Sequence, residues 1–342
     1  MLSTTTRPSL AIYSRLGYAS VARRRNQATL ASELSHIYTP DLPIWNKSKP
    51  FEHAPWRTPS KTKGTIRFLG PTKDGKPAFL NFEKGREHET NFGTSLEKVV
   101  DITDLRTFEP KTTVGVEGIE WVHAPSVLSE DKLLQADSKD VEAFVRGPYF
   151  EECEKLVKER TGAIRAIPYN FRHRRIEHNT NIHDPYKFSN KPLPNFHMDN
   201  DAETAKVNLR RVLGDEEATR WLGKRWGIIN IWRPVGDVVR QWPLALVDSR
   251  TVSYNRDTAP IFTLHNYKTH FVALRPQSHF NFYYVSNLAP DEALLFVDYD
   301  SAHEGSDNVV GMAHGAFEDH NAPQKVPKRR SIEVRCLVLY ED

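Results

Sequence analysis

From Gly227 onward this chain of 342 residues is a succession of short apolar runs: 227–232, 244–247, 261–264, 280–285, 293–297, 309–317 and 331–340. Pro, Gly, Asp or Asn interrupts it between runs. Runs this short read as strands, since a helix needs a longer periodic stretch. Consecutive strands with no helix between them exclude an alternating α/β sheet and leave a sandwich or a barrel.

Upstream the texture differs. Val141, Phe144 and Val145, then Cys153, Leu156 and Val157, recur at helical spacing between Ser129 and Thr161, and Gly162 marks a stop. Ala163–Ile167 reads as a strand, and 202–224 as two helices broken near Gly214 and Asp215. Residues 38–125 are rich in Pro, Gly and Lys, with short extended patches at 65–69 and 99–102, and read as an irregular wrap around the main body. Before Glu33 there is no acidic residue, and Arg7, Arg15, Arg23, Arg24 and Arg25 stand among Ser, Thr and Ala. Residues 1–37 are thus either a mitochondrial transit segment or a disordered basic tail. The compartment expected is cytoplasmic, or mitochondrial if the tail is a targeting signal.

Composition excludes several function classes. Lys and Arg total 47 against 44 Asp and Glu, a net charge of +3, with no basic block interleaved with aromatics. Nucleic acid is therefore not an expected partner. No apolar run approaches the roughly 20 residues of a membrane span. Cys153 and Cys336 are the only cysteines, so neither a disulfide scaffold nor a C-x-x-C metal or redox site is expected.

His197-Met198-Asp199 is an H-x-D element. On a strand, residues two apart share a face, so both side chains can reach one ion. Two imidazoles and a carboxylate on one side of an iron leave other positions open for a co-substrate and dioxygen. If the pair lies on an early strand of a double-stranded β-helix, the second histidine belongs on a late one. His265, His270, His279, His303 and His320 compete, but His314 stands within a late apolar run between the small residues Ala313 and Gly315. An acidic co-substrate also needs a cation, which arginine supplies as a bidentate partner. Arg329, Ser331 and Arg335 alternate onto one face of the last run, with Arg330 on the other.

From about Arg67 to Glu341 the sequence resembles the hydroxylase/desaturase family of fungal and bacterial secondary metabolism, which includes gibberellin desaturase and the cephalosporin methoxylation component. The resemblance rests on Thr161-Gly162-Ala163, His197-Met198-Asp199, Ile228 to Pro234, Trp242 to Leu246 with Asp248-Ser249-Arg250, Tyr283-Tyr284, Pro290-Asp291-Glu292 with Leu294-Leu295-Phe296, His314, and Ser331 to Arg335. It implies a mainly β fold with flanking helices, whose double-stranded β-helix (jelly-roll, cupin-like) core occupies about 162–342 of a single 38–342 oxygenase domain. It implies Fe(II) held by His197, Asp199 and His314, with 2-oxoglutarate and O2 as co-substrates. It also suggests pocket roles for Asn230 and Arg233. Two positions depart from the family's pattern: Ala313 and Gly315 stand where relatives tend to carry proline and threonine, and Asn200-Asp201 where many carry Gln and Ser or Thr.

The implied reaction is hydroxylation or desaturation of a small hydrophobic metabolite in a biosynthetic pathway, by a soluble enzyme for which a homodimer is the expected assembly. The alternatives are a cupin-like metal hydrolase or dioxygenase that does not use 2-oxoglutarate, and a non-catalytic partner protein that keeps the fold.

Overall fold

The structure is a computed structural model that describes residues 58–81, 89–134, 138–176, 190–263, 270–305 and 309–341. The N-terminal 1–37 and His265 lie outside the described residues. The strands are β1 (Lys61–Phe68), β2 (Ala78–Leu80), β3 (Leu96–Asp104), β4 (Ile119–His123), β5 (Arg165–Arg175), β6 (His197–Met198), β7 (Trp226–Pro234), β8 (Leu244–Val247), β9 (Thr258–Thr263), β10 (His270–Leu274), β11 (Phe282–Tyr284), β12 (Glu292–Asp300), β13 (His314–Ala316), β14 (Glu318–Asp319) and β15 (Arg330–Leu339). They form a large sheet, β14-β1-β3-β11-β8-β13-β6-β10-β9-β2, and a small one, β4-β12-β7-β15-β5. The chain crosses between sheets at β6 to β7 to β8 and again at β11 to β12 to β13 to β15, which is the threading of a double-stranded β-helix.

The large sheet curls back on itself. Arg67 bridges Asn195, and the Phe196 N–H donates to the Arg67 carbonyl at 2.8 Å. Ile66, Phe68, Ile102, Phe196, Met198, Phe280, Phe282 and Phe317 fill the resulting barrel. Phe196 meets Phe282 edge to face at 5.7 Å. Each such side chain contributes about 1.5–3 kcal/mol by leaving water. The barrel holds β6 firmly, and by alternation it leaves His197 on the opposite side, between the sheets.

A helix, Phe150–Thr161, covers the outer face of the small sheet. Phe150, Cys153, Val157 and Thr161 are its buried stripe, and Gly162 ends it in a left-handed conformation (φ 69°) with its N–H on the Lys158 carbonyl. Against that stripe lie Ile229 and Ile231 of β7, Leu295 and Val297 of β12, and Ile332, Val334 and Cys336 of β15.

Two strand expectations need correction. The strand expected at 163–167 runs on to Arg175; Pro168 is tolerated because β5 is an edge strand and the β5–β15 register slips between Arg335 and Cys336, beside it. Of the run 309–317 only His314–Ala316 is a strand. Gly311 sits so close to the Asp298 carbonyl that a Cβ there would lie 2.0 Å from its oxygen.

Candidate metal centre

Asp199 follows β6 directly, and the next two residues fix it. Asn200 Nδ2 donates to Asp298 at 2.5 Å, and the Asp201 carboxylate accepts the Thr204 N–H at 2.9 Å, capping the helix Ala202–Leu213. The departure at Asn200-Asp201 therefore builds a helix start. His314 lies directly opposite His197 in the β13–β6 register, and the two rings are 4.8 Å apart at their centroids. Gly315 also has a reason: a Cβ there would come within 2.7 Å of the Phe196 ring, so a threonine would require the barrel to repack.

His197, Asp199 and His314 offer ligand atoms that all lie within 4.8 Å of one another. Nε2 of His197 is 3.7 Å from Asp199 Oδ1, and Nε2 of His314 is 3.9 Å from Oδ2. Both Nδ1 atoms face backbone carbonyls, His197 on Asn195 at 2.8 Å and His314 on Met312 at 3.2 Å. A carbonyl only accepts, so Nδ1 carries the proton and Nε2 keeps its lone pair toward the gap. Among the described residues no other His, Cys, Asp and Glu group is arranged to hold a metal. The donor set therefore fits a divalent iron with open positions.

The charges agree with that fit. Burial, aided by the neighbouring His314, lowers the pKa of His197 to about 4, which keeps it neutral and able to ligate. Burial alone would raise the pKa of Asp199, but Arg335 and the two imidazoles overcome it and hold the carboxylate ionised. Arg335 donates to Oδ2 from Nε at 3.0 Å and from Nη2 at 2.5 Å, with Asn230 Nδ2 at 3.4 Å. Oδ1 is left to face the gap.

The remaining sequence candidates separate by strand parity. Arg329 is buried, its guanidinium over the Trp232 ring at 5.0 Å, and its Nε donates to Ser331 Oγ at 3.2 Å. Its Nη1 donates to the carbonyl of Trp242, a residue with the left-handed φ of 50° that is rare for a bulky side chain. Burial, with Arg174 nearby, lowers the pKa of Arg329 to about 9. Arg329 and Ser331 thus form one buried pair, while Arg335 belongs to Asp199. Arg233 is not brought to the site. It lies on the outer face of β7, donating to the Ala124 and Pro290 carbonyls and to Glu152, because residues three apart in a strand point to opposite sides. Of the rival histidines, His279 contacts Asp257 and His320 contacts Thr65.

Sequence reasoning missed Asp298, Glu333, Arg172 and Arg174. Asp298 is fully buried, and burial together with the charge of Asp199 raises its pKa. Arg174 pairs with Ser331 and Arg172 with Glu333 across β5 and β15. The signal is the R-x-R alternation at 172–174, which lies beyond the strand expected at 163–167.

Two alternately threaded sheets with a His-Asp-His set between them define the class of double-stranded β-helix metalloproteins with a facial triad, the arrangement of non-haem iron oxygenases. Residues 66–339 match the family described as an oxidoreductase/YMDC permease-like domain. The chain is 32% identical to Oxidoreductase R1 of Phoma sp. over 301 residues, covering 82% of this chain and 97% of that protein. It is 31% identical to the hydroxylase/desaturase efuI of Hormonema carpetanum over 300 residues, 81% of this chain and 95% of that one. Among solved structures, the iron and alpha-ketoglutarate-dependent endoperoxidase NvfI is similar at a TM-score of 0.68 and 25% identity, covering 83% of this chain and all of that one. The chain belongs to this family of oxidoreductases. No helix among the described residues is long and apolar enough to cross a membrane.

Proposed function

We propose that this chain is an Fe(II)- and 2-oxoglutarate-dependent oxygenase that hydroxylates or desaturates a small hydrophobic metabolite in a biosynthetic pathway, and that 38–342 is one oxygenase domain. The observation that carries the reading is the convergence of His197, Asp199 and His314, each Nδ1 tied to a carbonyl and each Nε2 turned to a common gap. Bound Fe(II) would supply the redox chemistry that couples oxidative decarboxylation of 2-oxoglutarate to cleavage of an unactivated C–H bond.

The protein's own part is to orient and to exclude water. His197, Asp199 and His314 would hold the ion. Arg335 and Asn230 fix the carboxylate of Asp199 through Oδ2, which leaves Oδ1 without a partner from either of them. Arg329 and Ser331 offer a guanidinium and a hydroxyl to the far carboxylate of 2-oxoglutarate, with Trp232 stacked behind the arginine. Phe296, whose ring lies 4.8 Å from that of His314, keeps one wall dry.

Anaerobic addition of Fe(II) and 2-oxoglutarate tests this directly. A weak visible charge-transfer band is expected in the parent protein and is expected to disappear in His314→Ala. Lack of the band in the parent protein, or full activity without succinate formation, rejects the assignment.

A further inference from the structure

We propose that Arg172 and Arg174 of β5 form an anion-binding wall that seats a carboxylate of the organic substrate, so that the metabolite is an acid on a hydrocarbon skeleton. This deepens the oxygenase reading and rests on it. The register puts Arg174 beside Ser331 and Arg172 beside Glu333, on the same face as Arg335, and so on the side of the small sheet that faces the metal centre. The opposite face carries Phe171, packed edge to face on Phe150 at 6.2 Å. β5 is the outermost strand of its sheet, and Arg172 is exposed there while Arg174 is half-buried. The pair therefore lies along the open edge of the sheet, one side chain exposed and the other half-buried.

Neither guanidinium makes an ion pair among the described residues. Arg174 donates from Nη1 to the Lys191 carbonyl at 3.3 Å, and Arg172 has no hydrogen bond or ion pair among the described residues. Glu333, the acid between them, contacts Arg335 at 3.3 Å. Four guanidinium groups, those of Arg172, Arg174, Arg329 and Arg335, thus face Asp199 and Glu333. Cations still outnumber anions if Asp298 is counted as ionised. Bound Fe(II) and 2-oxoglutarate carry opposite and equal charges, so their arrival leaves the excess in place. Arginines gathered on one face with too few acids repel one another until an anion meets them, and a planar carboxylate suits paired arginines. Phe271, near His197 at 6.3 Å between rings, and Phe296 supply the apolar surface for the rest of the molecule.

The test uses dodecanoate and methyl dodecanoate as matched probes that differ in charge. Each is titrated into anaerobic protein loaded with Fe(II) and 2-oxoglutarate, and binding is read by tryptophan fluorescence. Dodecanoate is expected to bind about tenfold more tightly than the ester, a difference of ~1.4 kcal/mol. That preference should vanish in the variant carrying both Arg172→Gln and Arg174→Gln and persist in the corresponding double lysine variant. The single Arg172→Gln, at an exposed position, should reduce it without a change in melting temperature. Equal binding of acid and ester, binding of neither, or a preference that survives the double glutamine change overturns the proposal. The charge-transfer band, recorded before each titration, distinguishes these outcomes from failure of the oxygenase reading itself.

Discussion

The two faces of β15 obey different rules. Outward, Ile332, Val334 and Cys336 are fully buried against the helix Phe150–Thr161, an apolar contact like any protein core. Inward, Ser331 is fully buried and Glu333 and Arg335 are half-buried, all three are polar, and each is placed by another polar group: Arg329, Arg335 and Asp199 respectively. The outer face supplies the free energy that tolerates the inner one. A strand whose inner face is charged can be held only if its outer face, and the barrel beyond β6, contribute enough apolar burial to keep it registered. Stability and chemistry should therefore respond to different residues of the same strand.

The largest separation is expected between a metal ligand and an outer-face residue. Asp199→Ala should abolish turnover by at least about three orders of magnitude, ~4 kcal/mol of transition-state stabilisation, measured as succinate formed per folded molecule. Val334→Ala should do the reverse, costing about 2–4 kcal/mol in chemical denaturation while succinate formation per folded molecule stays within a factor of two. If Val334→Ala lowers turnover as steeply as it lowers stability, the two faces are not independent. Next in size is Arg335→Ala, expected to weaken Fe(II) binding about 10–100-fold in equilibrium titration, because Asp199 loses the groups that orient it. Arg233→Gln, on the outer face, should leave the dependence on 2-oxoglutarate unchanged and lower the melting temperature.

The smallest effect is a pH slope in the metal-free protein. The pKa of His197 falls from an ordinary 6.5 to about 4 on folding. As pH drops, the unfolded chain takes up that proton first, so the stability linked to His197 is complete above about pH 6.5 and is lost as pH falls toward 4. Asp199, with its pKa depressed, acts in the same direction but only below the ordinary carboxylate range. Thermal melts from pH 7 to 4 should show the decline, and His197→Asn should flatten it.

The sequence was informative where patterning and chemistry coincide. The short apolar run at 227–232, the alternation along 329–335 and the H-x-D spacing each correspond to a strand or to the cluster the structure brings together, because a two-residue period is a direct consequence of the pleat. His314 rested mainly on family resemblance, since no spacing rule joins two strands more than a hundred residues apart. The misses have equally physical causes. Pro168 and four consecutive charged or titratable residues, Arg172 to Arg175, disguised an edge strand, where proline and charge are both tolerated. Arg233 was grouped with Asn230 although their odd spacing already placed them on opposite faces.

The cross-strand pairing of His314 with His197 has a consequence for how such an enzyme can change. The separation of the two imidazoles is set by the spacing between adjacent strands, a constant of all sheets. It owes nothing to the length of chain from Asp199 to Ala313. Segments in that interval can lengthen, shorten or be exchanged between relatives without detuning the pair, which makes the ligand set a fixed chassis and the intervening loops its interchangeable tools.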